Sequence, residues 1–429
     1  MKNVYTFVLT VAAGALTLAA QNSHPTHMHD GSVTVINHVE ADSAHVLRKF
    51  KENSPALFSV PDAPRFAIVG KNRLFYLGIG GQVKATVSYD FGSVIDNPNS
   101  FTTSAIPMNP QAGNGGKIQF SAMQSSLFLN MVALPDDPNQ VGLYVNFNLA
   151  DNGNYGFDLQ NAYLTYRGIT AGYDFGVFCD MAAVPPTIDK EGPNALVAVP
   201  NGVMDYRRSF GRHFSFGVGA ELPLASYTNS ADTRTVSQRV PDIPAYLQWA
   251  WGGGSRIRLS GILRNVAYRD MAAGKNRNSV GWGVKLSGTV MPVAPLTVYY
   301  QAAYGRGMTS YFQDLCEGGL DMAPDSSDPG KLKPVEAWGA YVGLQYDFSP
   351  KFFASATYSH VRAYAGCYEG GDVPWGEQYK YAQYVVCNVF YNINSFLQWG
   401  MEYIYGRRVD MSGLQRHDNR IQTMLAVNF

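Results

Sequence analysis

The chain has 429 residues, equal numbers of basic and acidic side chains and a formal net charge of zero, so nothing in its charge balance points to a nucleic-acid partner. Charged residues make up only 15% and aromatic residues 13%, glycine occupies 43 positions, and mean hydropathy is slightly negative at −0.13. Such a composition excludes a bundle of membrane helices and fits strands with one apolar and one polar face.

Residues 1–20 place one lysine, Lys2, before an apolar run that ends in Ala19 and Ala20. This is the pattern of a secretory signal peptide cut before Gln21. No later stretch approaches the ~18 consecutive apolar residues of a spanning helix. A chain that enters a membrane without helices must do so as a closed barrel, because only that arrangement satisfies every backbone group in lipid. Residues 21–72 read as an extension carrying five of the eight histidines. The spacing predicts one short helix over "SAHVLRKF", capped by Asp42, and then a linker "PDAPRF". The tract "HPTHMHD" fits a solvated tail, with Zn or Cu binding as the alternative. The helix is too short to form a strong trimerisation element alone.

From residue 73 the rhythm changes to period two. About sixteen segments alternate apolar and polar residues, an even number within the range of bacterial barrels. Short links such as "YRGIT", "SFGRH", "WGGGS" and "DFSPK" alternate with longer pieces at 92–117, 177–202, 223–240, 267–278, 305–334, 364–377 and 406–416. The predicted fold is therefore all-β: a transmembrane antiparallel β-barrel over 73–429, embedded in outer-membrane lipid, with short periplasmic turns and long outer loops. Residues 21–72 are then periplasmic.

The alternation assigns faces. In "SRIRLSGILRNVAY", Ile257, Leu259, Leu263 and Ala267 share one face and Arg256, Arg258, Ser260 and Arg264 the other. A lipid-facing arginine costs ~2–4 kcal/mol at mid-bilayer, so the arginine face points into the lumen. The same reasoning turns Lys285, Gln398, Glu402, Arg420, Gln422 and Asn428 inward. Candidate pore-lining cations are Arg167, Arg207, Arg256, Arg258, Arg264, Lys285 and Arg420, opposed by Asp205, Glu221, Asp242, Asp347 and Glu402. The other reading of this ladder is structural, with the arginines pairing with inward acids to brace the wall. The last strand, "HDNRIQTMLAVNF", is expected to pair with the first, "LFYLGIGGQVKATVSYDF", and remove the sheet edge. Phe429 then sits on the lipid side of the periplasmic girdle.

After the fifth strand comes "VFCDMAAVPPTIDKEGPNALVAVPNG", too rich in proline for another strand. It is expected to fold inward as a constriction loop, with Asp180, Pro185, Thr187, Asp189 and Glu191 as its candidate site residues. The run "LQNAYLTYRGITAGYDFGVFCDMAAVPPTIDKEGP" resembles the DcaP-like trimeric porin family of the bacterial outer membrane. The likeness rests on Ala162 and Tyr163, on Phe178 and Asp180, and on Pro185, Thr187, Ile188, Asp189, Gly192 and Pro193. It is specific over roughly 35 residues. The resemblance implies a sixteen-stranded homotrimer with an inward third loop and passive uptake of small solutes, dicarboxylates and other anions favoured. One departure weakens that preference: the family usually places Arg and His on the strand before the Ala-Tyr pair, where this chain has Asp158, Gln160 and Asn161.

The expected function is thus a water-filled channel for small hydrophilic solutes with a weak preference for anions, needing no cofactor. The alternative is a closed-lumen adhesin or structural barrel. No HExxH, GxSxG or P-loop is present, and His213, His360 and His417 fall in no common outer loop, so no enzyme is expected. Cys316 and Cys367 lie in adjacent predicted outer loops and fit either a disulfide or free thiols, whereas Cys179 and Cys387 show no metal spacing. Asp321, Asp325 and Asp328 suit an acidic outer loop, with Ca²⁺ binding as the alternative.

Overall fold

The computed structural model describes residues 34–35, 43–55, 58, 61, 63–70, 73–109, 115–151 and 154–429. The expected signal peptide, the histidine-rich tract and the Asp42 cap lie outside them. Sixteen wall strands form the barrel. They are β1 (Phe75–Gly92), β2 in two pieces (Gly116–Ser121 and Ser126–Ala133), β3 (Val141–Asp151), β4 (Asn154–Tyr166) and β5 (Ile169–Phe175). Next come β6 (Pro200–Phe210), β7 (Phe214–Glu221), β8 (Ile243–Trp251), β9 (Ser255–Asp270), β10 (Lys275–Val293) and β11 (Leu296–Arg306). The wall ends with β12 (Glu336–Ser349), β13 (Phe352–Tyr364), β14 (Tyr379–Asn392), β15 (Leu397–Asp410) and β16 (Gln415–Asn428). Each strand pairs antiparallel with the next. β16 returns to β1 from Gln82↔Asn428 to Gly92↔Asp418. Closure leaves no edge strand in the hydrocarbon layer.

The faces follow the alternation. Leu259 and Leu263 on β9 are exposed to lipid, while Ser260 and Arg264, each the next residue along, are buried in the lumen. On β16, Ile421 and Leu425 face out, and Arg420, Gln422 and Asn428 face in. The closing seam carries a charge-assisted fork. Arg420 and Asp90 are register partners, and the Arg420 Nε and Nη2 donate to the two Asp90 carboxylate oxygens at 2.6 Å each. Both side chains are fully buried. Phe429 adds backbone bonds to Gly81 in both directions.

The strands outrun expectation on the outer side. The predicted loop 267–278 shrinks to 271–274 and 406–416 to 411–414. The reason is physical. Above the bilayer both strand faces meet water or loops, so β10 can begin "KNRN" without an apolar side to mark it. The long outer pieces remain at 93–115, 176–199, 222–242, 307–335 and 365–378, and 307–335 holds its own hairpin, Met322–Asp325 with Asp328–Pro334. The four cysteines are free thiols.

The predicted helix forms as α1 (Ser43–Asn53). Its apolar side, Val46, Leu47 and Phe50, is buried against Ala67, Val69, Tyr76 and Val132 of its own chain, which leaves no apolar stripe for a second copy. The segment expected as a linker is structured at its end. Phe66–Val69 pairs antiparallel with β1, Phe66↔Ile79 to Val69↔Tyr76, below the end of β16. Lys49 reaches Asp136 at 3.0 Å in the turn after β2, which places α1 at the short-turn end of the barrel.

The seam generates a stability prediction. Arg420→Met alone strands the buried Asp90 carboxylate and should cost about 3–5 kcal/mol, read as a lower temperature for loss of the compact, heat-modifiable band in detergent electrophoresis. Arg420→Met with Asp90→Leu should recover most of that loss. A single variant as heat-resistant as the parent would show that the seam does not depend on the fork.

Candidate functional site

The loop 176–199 enters the lumen and follows the inner wall. Its prolines cannot join a ladder, so its backbone groups must find side-chain partners. The wall supplies them in sequence. Tyr341 on β12 donates to the Ala183 carbonyl at 3.1 Å. Ser355 on β13 and Asn388 on β14 both donate to the Pro186 carbonyl, at 3.0 and 2.9 Å. The Glu402 carboxylate on β15 accepts from the amides of Ile188 and Asp189 at 2.7 and 2.9 Å. Lys84 on β1 donates to the Ile188 carbonyl at 2.7 Å. Asp189 in turn accepts from the amides of Phe101, Glu191 and Gly192. Gly192, at φ 71°, makes the sharp return.

Asp180 fixes the start of this path. It lies 2.9 Å from Arg256 and 3.6 Å from Arg258 on β9, and Ser287 on β10 donates to it at 2.6 Å. Burial pushes its pKa up, but the charges of Arg258, Arg256 and Lys285 outweigh this and bring it to about 2.

The seven expected cations are placed as follows. Arg167 is not in the lumen. It occupies the tight turn between β4 and β5 with φ 48°, and its guanidinium bonds Asn139 at 2.7 Å. A one-residue misjudgement of the turn made it look like an inward strand position. Arg207 faces the lumen, 40% exposed, and bonds Asp205 at 3.0 Å. Arg256 and Arg258 are tied to Asp180, and Arg258 also lies 4.1 Å over the Tyr246 ring. Arg264 is buried between Asp242 at 2.9 Å and Asp321 at 3.2 Å. Lys285 is buried 5.4 Å from the Phe178 ring centre. Arg420 is locked to Asp90. Most of the ladder therefore braces wall and loops, the reading set second at the sequence level.

Much of the lumen beside β9–β14 is filled. Tyr311, Phe312 and Leu315 from the loop 307–335 pack with Ala195–Ala198 against inward Ile262, Ala303, Ala337 and Val361. Among the described residues, a cavity of ≈370 Å³ lies against the opposite wall. That wall presents Asn146 and Asn148 from β3, Asp158, Gln160 and Asn161 from β4, and Tyr173 and Phe175 from β5. The inward loop faces them with Val184, Pro185, Thr187 and Asp189–Gly192, Gln313 and Cys316 come from the outer side, and Phe58 comes from the N-terminal segment. None of the seven cations lines it. Of the expected loop residues, Pro185, Thr187, Asp189 and Glu191 do, whereas Asp180 is an anchor outside it.

Sequence reasoning missed Lys190, Asn146, Asn148 and Phe58. The two asparagines were readable, since "VGLYVNFNLA" alternates with Asn146 and Asn148 on its polar face. Gln160 and its neighbour Asn161, both named from the sequence, line the cavity together because a bulge at that point shifts the register between β3 and β4. The Ca²⁺ alternative finds no support. Asp321 is turned inward to Arg264 and the Ser310 amide, and among the described residues no cluster could hold a metal ion.

Asp180→Asn should release two guanidinium charges toward the lumen water and move the reversal potential of single channels toward anion selectivity. An unchanged potential would show that these charges are not felt in the passage. Because its pKa is lowered from 3.8 to about 2, the Asp180 carboxylate adds its full anchoring above the ordinary value and loses it as the pH falls through about 2. Loop-dependent current noise should therefore stay constant down to about pH 4 and rise only below it.

A model of the porin subfamily matches residues 79–411. Among solved structures, the outer membrane channel DcaP of Acinetobacter baumannii superposes with a TM-score of 0.69 at 20% identity, covering 84% of this chain and 99% of that one. Outer-membrane-expressed OmpT of Vibrio cholerae gives 0.53 at 11%, covering 84% and 100%. The anion-selective porin from Comamonas acidovorans gives 0.53 at 10%, covering 83% and 100%. No curated protein sequence matches this chain. The fold likeness to DcaP agrees with the motif resemblance around Ala162–Pro193. A wall closed on itself in sixteen strands, a loop folded into its lumen and a family match over most of the length lead to one conclusion: this is a bacterial outer-membrane channel protein, and the chain belongs to the porin subfamily.

Proposed function

We propose that the protein provides passive diffusion of small hydrophilic solutes as a homotrimer, with a weak preference for anions such as dicarboxylates. The observation that carries the reading is the cavity between the inward loop and β3–β5. Its lining mixes apolar side chains such as Leu159, Met181, Leu196 and Val199 with the amides of Asn146, Asn148, Gln160, Asn161 and Gln313 and the hydroxyls of Thr187 and Tyr173, so water and polar solutes can follow the polar positions. Three carboxylates, Asp158, Asp189 and Glu191, and one cation, Lys190, line the cavity, and each carboxylate is engaged by neutral hydrogen-bond donors. Asp158 is bonded by Gln160 at 2.5 Å, Glu191 is bonded by Gln313, and Asp189 is covered by backbone amides. Lys190 makes no salt bridge among the described residues, and Arg207 remains partly open to the lumen. The anion preference rests on these two cations rather than on the buried ladder.

The packed half of the lumen is also what a closed structural barrel would have, so conductance decides between the two readings. The expected result in a planar bilayer is discrete steps grouped in threes, with a small anion-directed reversal potential in a salt gradient. Lys190→Gln should move that potential toward cations. Absence of steps supports the closed barrel, and a cation-selective parent channel removes the anion preference. Liposome swelling across sugars, dicarboxylates and amino acids would then rank the solutes.

A further inference from the structure

The N-terminal segment between α1 and β1 joins the barrel sheet only through Phe66–Val69, yet the wall is shaped around its other described residues. At one end, Asn53 is buried in the lumen. It donates to Asn130 on β2 at 2.8 Å, accepts from Thr165 on β4 at 3.0 Å, and its carbonyl accepts from the Tyr163 hydroxyl at 2.8 Å. A Cβ on Gly142 of β3 would collide with the Asn53 side chain, and one on Gly78 of β1 would collide with Pro64. Two glycines thus hollow the wall where this segment lies against it.

Five residues beyond Asn53 is Phe58. Its ring packs edge-on to Phe390 at 5.2 Å and Phe353 at 6.1 Å, on β14 and β13. Asn53 and Phe58 thus touch different parts of the wall although only five residues apart in sequence. Arg65 then stacks on Phe396 in the turn between β14 and β15 at 4.3 Å.

The level of these contacts follows from register. Phe353 pairs with Phe390, and Ser355 pairs with Asn388. The Ser355–Asn388 rung holds the inward loop at Pro186. The Phe353–Phe390 rung lies two residues nearer the periplasm, about 7 Å at the usual strand rise. On the other wall, the Asn130–Tyr144–Tyr163 rung that holds Asn53 lies directly below the Phe128–Asn146–Asn161 rung, whose asparagines line the cavity. Asn53 and Phe58 therefore each lie one rung beneath the inward loop, on two sides of the lumen, and Phe58 lines the same cavity.

We propose that the N-terminal segment is a strap that forms a second constriction on the periplasmic side, with Phe58 as the residue that sets its width. Pro55, Pro61 and Pro64 restrict its backbone, and the Asn53 and Phe58 anchors hold it on two walls. The solute passes the inward loop and then the strap in series.

The inference rests on the channel reading, and the test separates the two. Single-channel conductance of the full-length protein is measured for the parent, Phe58→Ala and Phe58→Trp, each first shown to be heat-modifiable. The expected result is a rise of roughly half in step size for Phe58→Ala and a fall for Phe58→Trp, with a matching change in the largest polyethylene glycol that enters. If the parent conducts and both variants keep its step size and exclusion limit, the strap is not a constriction and the proposal is overturned. A parent that does not conduct would overturn the channel reading itself.

Discussion

Everything in this molecule depends on one constraint: no backbone amide or carbonyl can be left unpaired in hydrocarbon. Sixteen strands meet it by closing on themselves, and closure sorts every second side chain toward lipid or lumen. The apolar set goes out. The lumen therefore inherits a dense population of charges, amides and hydroxyls that must be neutralised or bonded wherever packing buries them. The Arg420–Asp90 fork, the Asp180 cluster and the Arg264 network are the result. Each places a buried guanidinium against carboxylates, because a single partner removed leaves an uncompensated buried charge.

The inward loop is a product of the same pressure. Its prolines remove donors, and its remaining carbonyls and amides are met by side chains from β1, β12, β13, β14 and β15. Glu402 holds two amides and Asp180 holds two arginines, so the wall supplies both ends of the path. The loop is consequently part of the wall's bonding scheme, and its shape is fixed by the strands it crosses.

The wall was legible in the sequence because alternation is a local signal. The arginine face of β9, the inward Lys285 and Glu402, and the pairing of last strand with first all follow from neighbours two residues apart. So does the inward loop, where proline content and length break the rhythm. What was not legible depends on distant partners. Nothing local in "SRIRLSG" says that Asp180 neutralises Arg256, and nothing in "SPALF" says that Phe58 meets Phe353 and Phe390. Arg167 was misplaced because strand and turn differ there by one residue. The filled half of the lumen left a trace that local reading passes over: inward positions Ala303, Ala337, Val361, Ala363 and Ala382 are apolar although their strands already carry an apolar outer face.

That filled half gives the barrel two cores that answer to different solvents. The outer belt is held by lipid. The cluster of Tyr311, Phe312, Leu315 and the Ala195–Ala198 run is held by water, as in any soluble domain. Agents that dissolve bilayers and agents that weaken apolar burial therefore act on separate parts of one chain. Urea reaching the lumen is expected to loosen the packed loops before the strand ladder, with a cylinder stripped of its internal filling as the species between the native and unfolded states.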